Sequence, residues 1–289
     1  MIAVTGANGN LGRLVIKGLV KVVPADQIVA CVRRPDQVDD IRALGIQIRK
    51  ADYDLPETLA KAFDGIEKVL LISAVQPGER FRQHKAVIDA AVQGGVNLIA
   101  YTSMLRADTS SLCLSGEHRE TEFYLKRSGL DYVLLRNGWY LENHTDSLPL
   151  ALAHGALIGS AMTGRFASAS RGDYAGAAVA VLTQPGHVNK TYELVGDNSY
   201  TMSDFAAEVS KQSSRSITYN NLPAADYEAA LIGLGIPKMI VDVLVDADVK
   251  SLDGELDSPS RELAALLGRN TTTLSDAILA SLPTSITLG

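Results

Sequence analysis

Thr5-Gly6-Ala7-Asn8-Gly9-Asn10-Leu11-Gly12 sets three glycines at GxxGxxG spacing between a short apolar run and the start of a helical period. A loop of this kind brings backbone N–H groups to an anion. Gly6 makes the tight turn, Gly9 lets the backbone approach a pyrophosphate, and Gly12 lets helix and strand pack closely. In a chain with 24 glycines the string alone is a weak signal, and its strand–turn–helix setting is what gives it meaning. Asn8, Asn10 and Leu11 complete the expected dinucleotide cradle, against the bland alternative of a plain glycine-rich turn.

Folds that prefer NAD carry an acidic residue about 20 positions further on, at the end of the second strand, for the ribose 2′-OH. This chain has Arg33 and Arg34 there. A guanidinium pairs with a 2′-phosphate through two parallel hydrogen bonds, so Arg33 points to NADP(H) rather than to a solvated basic pair before Pro35. Asp52, just after the third strand, is placed to reach the adenine edge, although an Asp in a loop is often only a turn former. Ser73-Ala74-Val75 ends the fourth strand, where the strand order should reverse and the cofactor should cross.

Other chemistries lack their parts. None of the ten tyrosines has Lys four residues later, the pair from which short-chain dehydrogenases build their base. Tyr132 comes nearest with Arg136, and both fall in one predicted strand. There is no GxSxG elbow, no HExxH and no P-loop. His84, His144, His154 and His187 have no paired spacing that suggests a metal, and Cys31 and Cys113 stand far apart without a CxxC.

Periodicity supplies the elements that would position these residues. Predicted strands cover Ile2 to Thr5, Ile28 to Arg33, Ile46 to Lys50, Val69 to Ser73, Leu98 to Thr102 and Tyr132 to Arg136. Between them lie helices: one with Leu11, Leu14, Val15, Leu19 and Val22 on a face, then Gln37 to Leu44, Pro56 to Phe63, one marked by Phe81, Ile88, Ala91 and Val92, and Glu117 to Arg127. Strands apolar on both faces, each followed by a helix, indicate an α/β fold with a doubly wound parallel sheet of Rossmann type. After Asn137 helices dominate: Leu141 to His154, Tyr174 to Leu182, Ser203 to Gln212, Ala225 to Leu234, Ser260 to Leu267 and Leu274 to Leu282. Only Lys190 to Val195 and Ser216 to Asn220 read as strands there. The expected organisation is a dinucleotide-binding domain over residues 1–150, with 164–196 returning to it, and a smaller, mostly helical substrate-binding or lid domain over 151–289.

Composition agrees with a globular protein. Hydrophobic residues make up 46% and charged residues 21% of the 289, and 27 Lys plus Arg against 33 Asp plus Glu leave a net charge of −6. That balance argues against a nucleic-acid partner. The apolar stretch Val69 to Val75 is far below the ~18 to 20 residues of a membrane span, so no membrane insertion is expected. The opening residues enter a strand with no leader pattern, and two scattered cysteines suit a reducing compartment, so the expected location is cytoplasmic. The oligomeric state is left open, a homodimer included.

The GANGNLG opening, Arg33, Ala100-Tyr101-Thr102-Ser103, His118 with Glu122, Ser128-Gly129-Leu130 and the run Leu135 to Asn143 together resemble the NmrA-like, atypical short-chain dehydrogenases. The similarity continues through Ser170 to Tyr174 and Thr201 to Phe205, and so covers most of the chain. Within that group the chain looks most like the NADPH-dependent quinone oxidoreductases, then like the triphenylmethane dye reductases; it carries Asn137 where many members have Pro. The resemblance implies that Asn137, Gly138, Trp139 and Tyr140, through Asn143, line the nicotinamide end of the cleft, with the C-terminal helices closing over the substrate. Trp139 and Tyr140 would offer a flat aromatic surface to a planar substrate, although a lone Trp is often core. His118 lies on the helix that carries Tyr and Lys in ordinary members; it would donate a hydrogen bond to cofactor or substrate, the alternative being a solvated helix-surface His.

The expected activity is transfer of hydride from NADPH to a small-molecule quinone or similarly planar conjugated acceptor, with Tyr140, Asn143 and His118 as the acceptor-side residues. Two alternatives stay open: a non-enzymatic NADP-binding sensor of the NmrA type, and a reductase of imines or triarylmethane dyes.

Overall fold

The computed structural model describes residues 1–283. Its first half alternates strand and helix: β1 (Ile2–Val4), α1 (Asn10–Leu19), β2 (Ile28–Val32), α2 (Asp39–Arg42), β3 (Gln47–Lys50), α3 (Pro56–Ala62), β4 (Lys68–Leu71), α4 (Arg80–Gln93), β5 (Leu98–Met104), α5 (Ser115–Lys126) and β6 (Asp131–Asn137). There follow α6 (Glu142–Thr145), α7 (Leu148–His154), β7 (Ala156–Gly159), α8 (Arg171–Thr183) and β8 (Lys190–Leu194). The chain then runs through α9 (Met202–Ser213), β9 (Thr218–Asn221), α10 (Ala224–Gly233), α11 (Lys238–Ser251), α12 (Glu262–Leu267) and α13 (Leu274–Ser281).

Seven strands form one sheet in the order β3-β2-β1-β4-β5-β6-β8, every pair parallel. Because successive side chains of a strand point to opposite faces, neighbouring residues serve different cores. Val4, Ala30 and Leu70 join α1 and α8 on one side; Ala3, Val29 and Leu71 join α3, α4 and α5 on the other. Both faces are thus dry, as a parallel sheet requires. The order reverses between β1 and β4, which puts the loops after these two strands side by side at the switch point, where ligands of open α/β sheets bind.

A second core gathers Phe166, Tyr200, Phe205 and Val209 with Leu141, Leu148 and Leu157. Over it lies a two-stranded parallel sheet of β7 and β9. Leu263 of α12 belongs instead to the first core, beside α8. No helix among the described residues is long and apolar enough to cross a membrane.

Several expected elements differ. The single helix expected over Leu141 to His154 is two short ones, α6 and α7, because Pro149 near the start of α7 has no N–H to continue a preceding helix. Val22 is 62% exposed and lies beyond α1, whose C-cap is Val20; Pro24 turns the backbone of its predecessor away from helix. Val92 is likewise exposed. The sequence reading missed α11, in which apolar residues fall at every second position from Val241 to Val249 with Asp242, Asp246 and Asp248 among the intervening ones, like a strand, and β7, which is only four residues and ends on Gly159.

Candidate active site

The glycine loop joins β1 to α1. Gly6 has φ +59°, in the left-handed region that favours glycine, and its carbonyl accepts the Gly9 N–H at 2.9 Å. A Cβ on Gly12 would stand 2.4 Å from the Gly6 carbonyl oxygen and 2.7 Å from Ala7 Cα, so only glycine lets α1 start this close to the strand. Gly9 is the N-cap of α1, with no side-chain cap and no acidic residue in the first turn. Unpaired N–H groups at a helix start favour an anion, so the residues present fit a dinucleotide pyrophosphate. Leu11 turns into the sheet core, while Asn8, Gly9 and Asn10 are exposed. The Arg13 guanidinium holds this loop: its Nε donates to the Asn8 carbonyl at 3.0 Å, and it also contacts the Asn8 side chain and the Asp40 carboxylate of α2.

Arg33 and Arg34, just past β2, are exposed and form no ion pair among the described residues. Asp52 forms a turn: its Oδ1 accepts the Asp54 N–H at 3.1 Å, and its own N–H donates to Thr58 Oγ1 at 2.9 Å. After β4 the Ser73 N–H donates to Thr102 Oγ1 at 2.9 Å and the Ala74 N–H to His84 Nε2 at 2.8 Å, which leaves Val75 80% exposed.

Asn137, Gly138, Trp139 and Tyr140 follow in line from the end of β6. Asn137 is buried; its Nδ2 stands 3.5 Å from the Tyr140 hydroxyl, and its Oδ1 has no partner among the described residues. The Gly138 N–H donates to the Leu194 carbonyl at 2.8 Å. Trp139 and Tyr140 do not make one flat aromatic surface. The segment is extended, with Tyr140 bridged to Ala169, so consecutive side chains diverge. Trp139 packs on the second core, 6.5 Å from the His144 ring, and Tyr140 on the sheet core, 5.1 Å from the Tyr174 ring. Arg171 stands 5.6 Å over the Tyr140 ring, and burial raises the Tyr140 phenol above its ordinary value. Asn143, in α6, donates its N–H to the Tyr140 carbonyl at 3.0 Å, and its half-buried side chain makes no hydrogen bond among the described residues.

His118 is not a solvated helix-surface residue. It is buried between α5 and β5, with Nδ1 2.6 Å from the Tyr101 hydroxyl. Burial, then the charges of Arg80 and His84, push its pKa well below the usual imidazole range, so it is neutral.

Sequence reasoning missed the partners of these groups. Glu122, one turn beyond His118, is forked by Arg136 at 2.9 and 2.7 Å and accepts the Ser103 hydroxyl at 2.6 Å. Arg136 also reaches Glu193 at 2.8 Å and Asp108 at 3.0 Å. Where an ordinary dehydrogenase keeps a titrating Tyr and Lys, this helix therefore carries a neutral imidazole and a carboxylate locked in a buried ion pair. His84 and Arg80 were missed for the same reason: their contacts are long-range and follow no spacing rule.

Fold and loop together define a dinucleotide-binding α/β protein of the doubly wound kind. Residues 6–185 match the NAD(P)H-binding family, and the chain belongs to that family. The chain is 50% identical over 278 residues to quinone oxidoreductase 2 of Escherichia coli, covering 96% of this chain and 97% of the relative. The crystal structure of an E. coli NADPH-dependent quinone oxidoreductase complexed with NADPH superposes with a TM-score of 0.94 over 97% of this chain and 99% of that one. The Citrobacter triphenylmethane reductase complexed with NADP(H) also reaches 0.94, at 34% identity, over 98% of this chain and all of that one. These likenesses agree with the resemblance to the NmrA-like dehydrogenases.

Proposed function

We infer that the protein is an NADPH-dependent oxidoreductase that passes hydride to a quinone or a similarly planar conjugated acceptor. The observation that carries this is the 50% identity along nearly the whole chain to quinone oxidoreductase 2. In this reading the N–H groups at the start of α1, with Gly6, Asn8, Gly9, Asn10, Leu11 and Gly12, hold the pyrophosphate. Arg33 pairs with the 2′-phosphate, Asp52 borders the adenine, and Ser73, Ala74 and Val75 flank the crossing at the switch point. Asn137 to Tyr140 face the nicotinamide end. The exposed Arg33, which forms no ion pair among the described residues, and the uncapped α1 support these assignments.

When bound, reduced nicotinamide supplies the hydride, and the protein supplies position and hydrogen-bond donors. Hydride addition to a quinone leaves a phenolate-like oxyanion whose conjugate acid resembles a Tyr phenol, pKa ~10. Such an oxyanion needs stabilising more than it needs an immediate proton, so the lack of a titrating Tyr–Lys pair suits the reaction. The Tyr140 hydroxyl and the Asn143 amide are the donors for it, His118 contributes as a neutral N–H donor, and solvent delivers the proton. Residues 1–150, with 164–196 returning, make up the NADP-binding lobe, and the rest of 151–289 the substrate lobe, of which 284–289 lie outside the described residues. Pairing of β8 with β6 supports this division, whereas Leu141 and Leu148 in the second core move its near edge toward the end of β6, and Leu263 in the sheet core places α12 with the NADP-binding lobe. Free thiols at Cys31 and Cys113 support a cytoplasmic setting.

The likeness to triphenylmethane reductase favours a second reading, reduction of a triarylmethane cation. NADPH oxidation followed across a panel of quinones and cationic dyes separates the two. Steady consumption with quinones is expected; turnover with dyes alone would replace the first reading by the second. Binding of NADPH without turnover of any acceptor would indicate a sensor.

A further inference from the structure

The loop after β4 is held by side chains from Thr5, from Thr102 of β5 and from α4. β4 ends at Leu71, yet the next three peptides are as firmly bonded as those of a strand. The Ile72 N–H donates to Thr5 Oγ1 at 3.1 Å, and Tyr53 donates its hydroxyl to the same Thr5 oxygen at 2.6 Å, in reach of the Ile72 carbonyl at 3.0 Å. Both ends of the Ala74 residue are gripped from α4: its N–H by His84 Nε2 at 2.8 Å, and its carbonyl by Arg80 Nε at 2.8 Å. Arg80 is in turn anchored to Glu117 at 3.2 Å.

The tautomer of His84 follows from its partners. Nε2 accepts an amide hydrogen, so it carries no proton; Nδ1–H then donates to Thr121 Oγ1 at 3.0 Å, and Thr121 donates to the Glu117 carbonyl at 2.8 Å. The ring is fully buried and packs edge-on against Tyr101 at 5.2 Å, the residue that also bonds His118. Burial, with the Arg80 charge, pushes its pKa down to about 3, so the acceptor persists at any pH the enzyme would meet. The loop borders the cradle directly: a Cβ on Gly6 would lie 3.5 Å from the Ile72 side chain.

We propose that His84 is a positioning residue for the dinucleotide: by accepting the Ala74 N–H it fixes the wall of the cleft between the glycine loop and the nicotinamide end. The proposal rests on the NADPH-binding reading above. The Ser73 and Ala74 amides are consumed internally, so what this wall offers the cofactor depends on its shape, and shape is what the imidazole sets. An unpaired amide would let the loop sag toward or away from the glycines.

Two near-isosteric variants split the bridge. His84→Gln can place an acceptor where Nε2 stood, whereas His84→Asn reaches only to Nδ1, keeping the Thr121 contact and abandoning Ala74. Fluorescence titration of each protein with NADPH and NADH, without acceptor, reads the effect. His84→Asn should weaken both cofactors about tenfold, as loss of one well-placed hydrogen bond would, while His84→Gln stays within about threefold of the parent. Equal affinities in all three proteins, or equal losses in both variants, would overturn the proposal. Hydrogen exchange on the parent protein needs no variant: the amides of residues 72–74 should be protected without cofactor and slow further with saturating NADPH, and no change on binding would overturn it. A parent protein that binds no NADPH at all would instead defeat the functional reading, and this proposal with it.

Discussion

In the proposed site, single side chains set the choice of cofactor and stabilise the product. Arg33 is exposed and forms no ion pair among the described residues, which leaves it available for the 2′-phosphate proposed as its partner. Arg33→Ala should raise the NADPH dissociation constant about ten- to a hundredfold, the range for hydrogen bonds to a charged group, and leave NADH nearly unchanged. Titration with both cofactors checks this; equal losses would mean that Arg33 supports the loop and reads nothing. Tyr140 keeps its ring between Tyr174 and Arg171 whether or not it has a hydroxyl. Tyr140→Phe should therefore lower kcat with little change in NADPH affinity, because a donor to a developing oxyanion acts on the chemical step. Tyr140→Ala should also raise the acceptor KM. Parent-like kinetics in both variants would remove Tyr140 from the acceptor site. At this scale the glycines and Arg33 were legible because their meaning is local, a turn or a charge at a strand end. The opposed directions of Trp139 and Tyr140 were not, since they depend on the bridge from Tyr140 to Ala169, which is distant in sequence.

Elements impose constraints of their own. The start of α1 must stay bare, and it does: α9 and α13 are capped by Thr201 and Thr273, each with an Asp in the first turn, whereas α1 has neither. In α11, Asp248 carries a buried carboxyl that accepts the Ser160 N–H at 2.7 Å. Burial raises it to about 6, only partly offset by that bond. A carboxyl raised on folding stabilises the fold while protonated, and this contribution fades as pH rises from about 4 to about 6. Near pH 7 the ionised group then costs about 3 kcal/mol, taking ~1.4 kcal/mol per pK unit. Asp248→Asn keeps an acceptor for Ser160 and removes the charge. It should be more stable than the parent at pH 7 and equal to it below pH 4. Carboxyls held low, such as Asp204 by the Thr201 N–H and hydroxyl, slope the other way, so the difference between the two denaturation curves is the quantity to measure. A constant difference across pH 4 to 7 would contradict this account. That α11 escaped the sequence reading has the same root: apolar residues at every second position from Val241 to Val249 fit a strand period, and packing against Tyr227 and Leu231 of α10 selects the helix.

On the scale of the whole molecule, the alternation of apolar runs and helical periods was enough to reveal the parallel sheet, because strands dry on both faces have few other solutions. The long-range ties between its strands, loops and helices were beyond reach: Glu122 with Arg136, Arg136 with Glu193, and Arg80 with Ala74. The helix α5 carries a neutral His118 and an ion-paired Glu122 rather than a Tyr–Lys pair, which suits the proposed hydride transfer to an acceptor that tolerates a free oxyanion. The most direct measurement is an anaerobic single turnover of NADPH-loaded protein with a quinone, using cofactor deuterated at the transferable C4 position. One NADPH should be consumed per hydroquinone formed, the deuterium should slow the step, and the label should leave the cofactor. NADPH that stays reduced while bound in the presence of quinones, or oxidation without loss of the label from C4, would contradict the account.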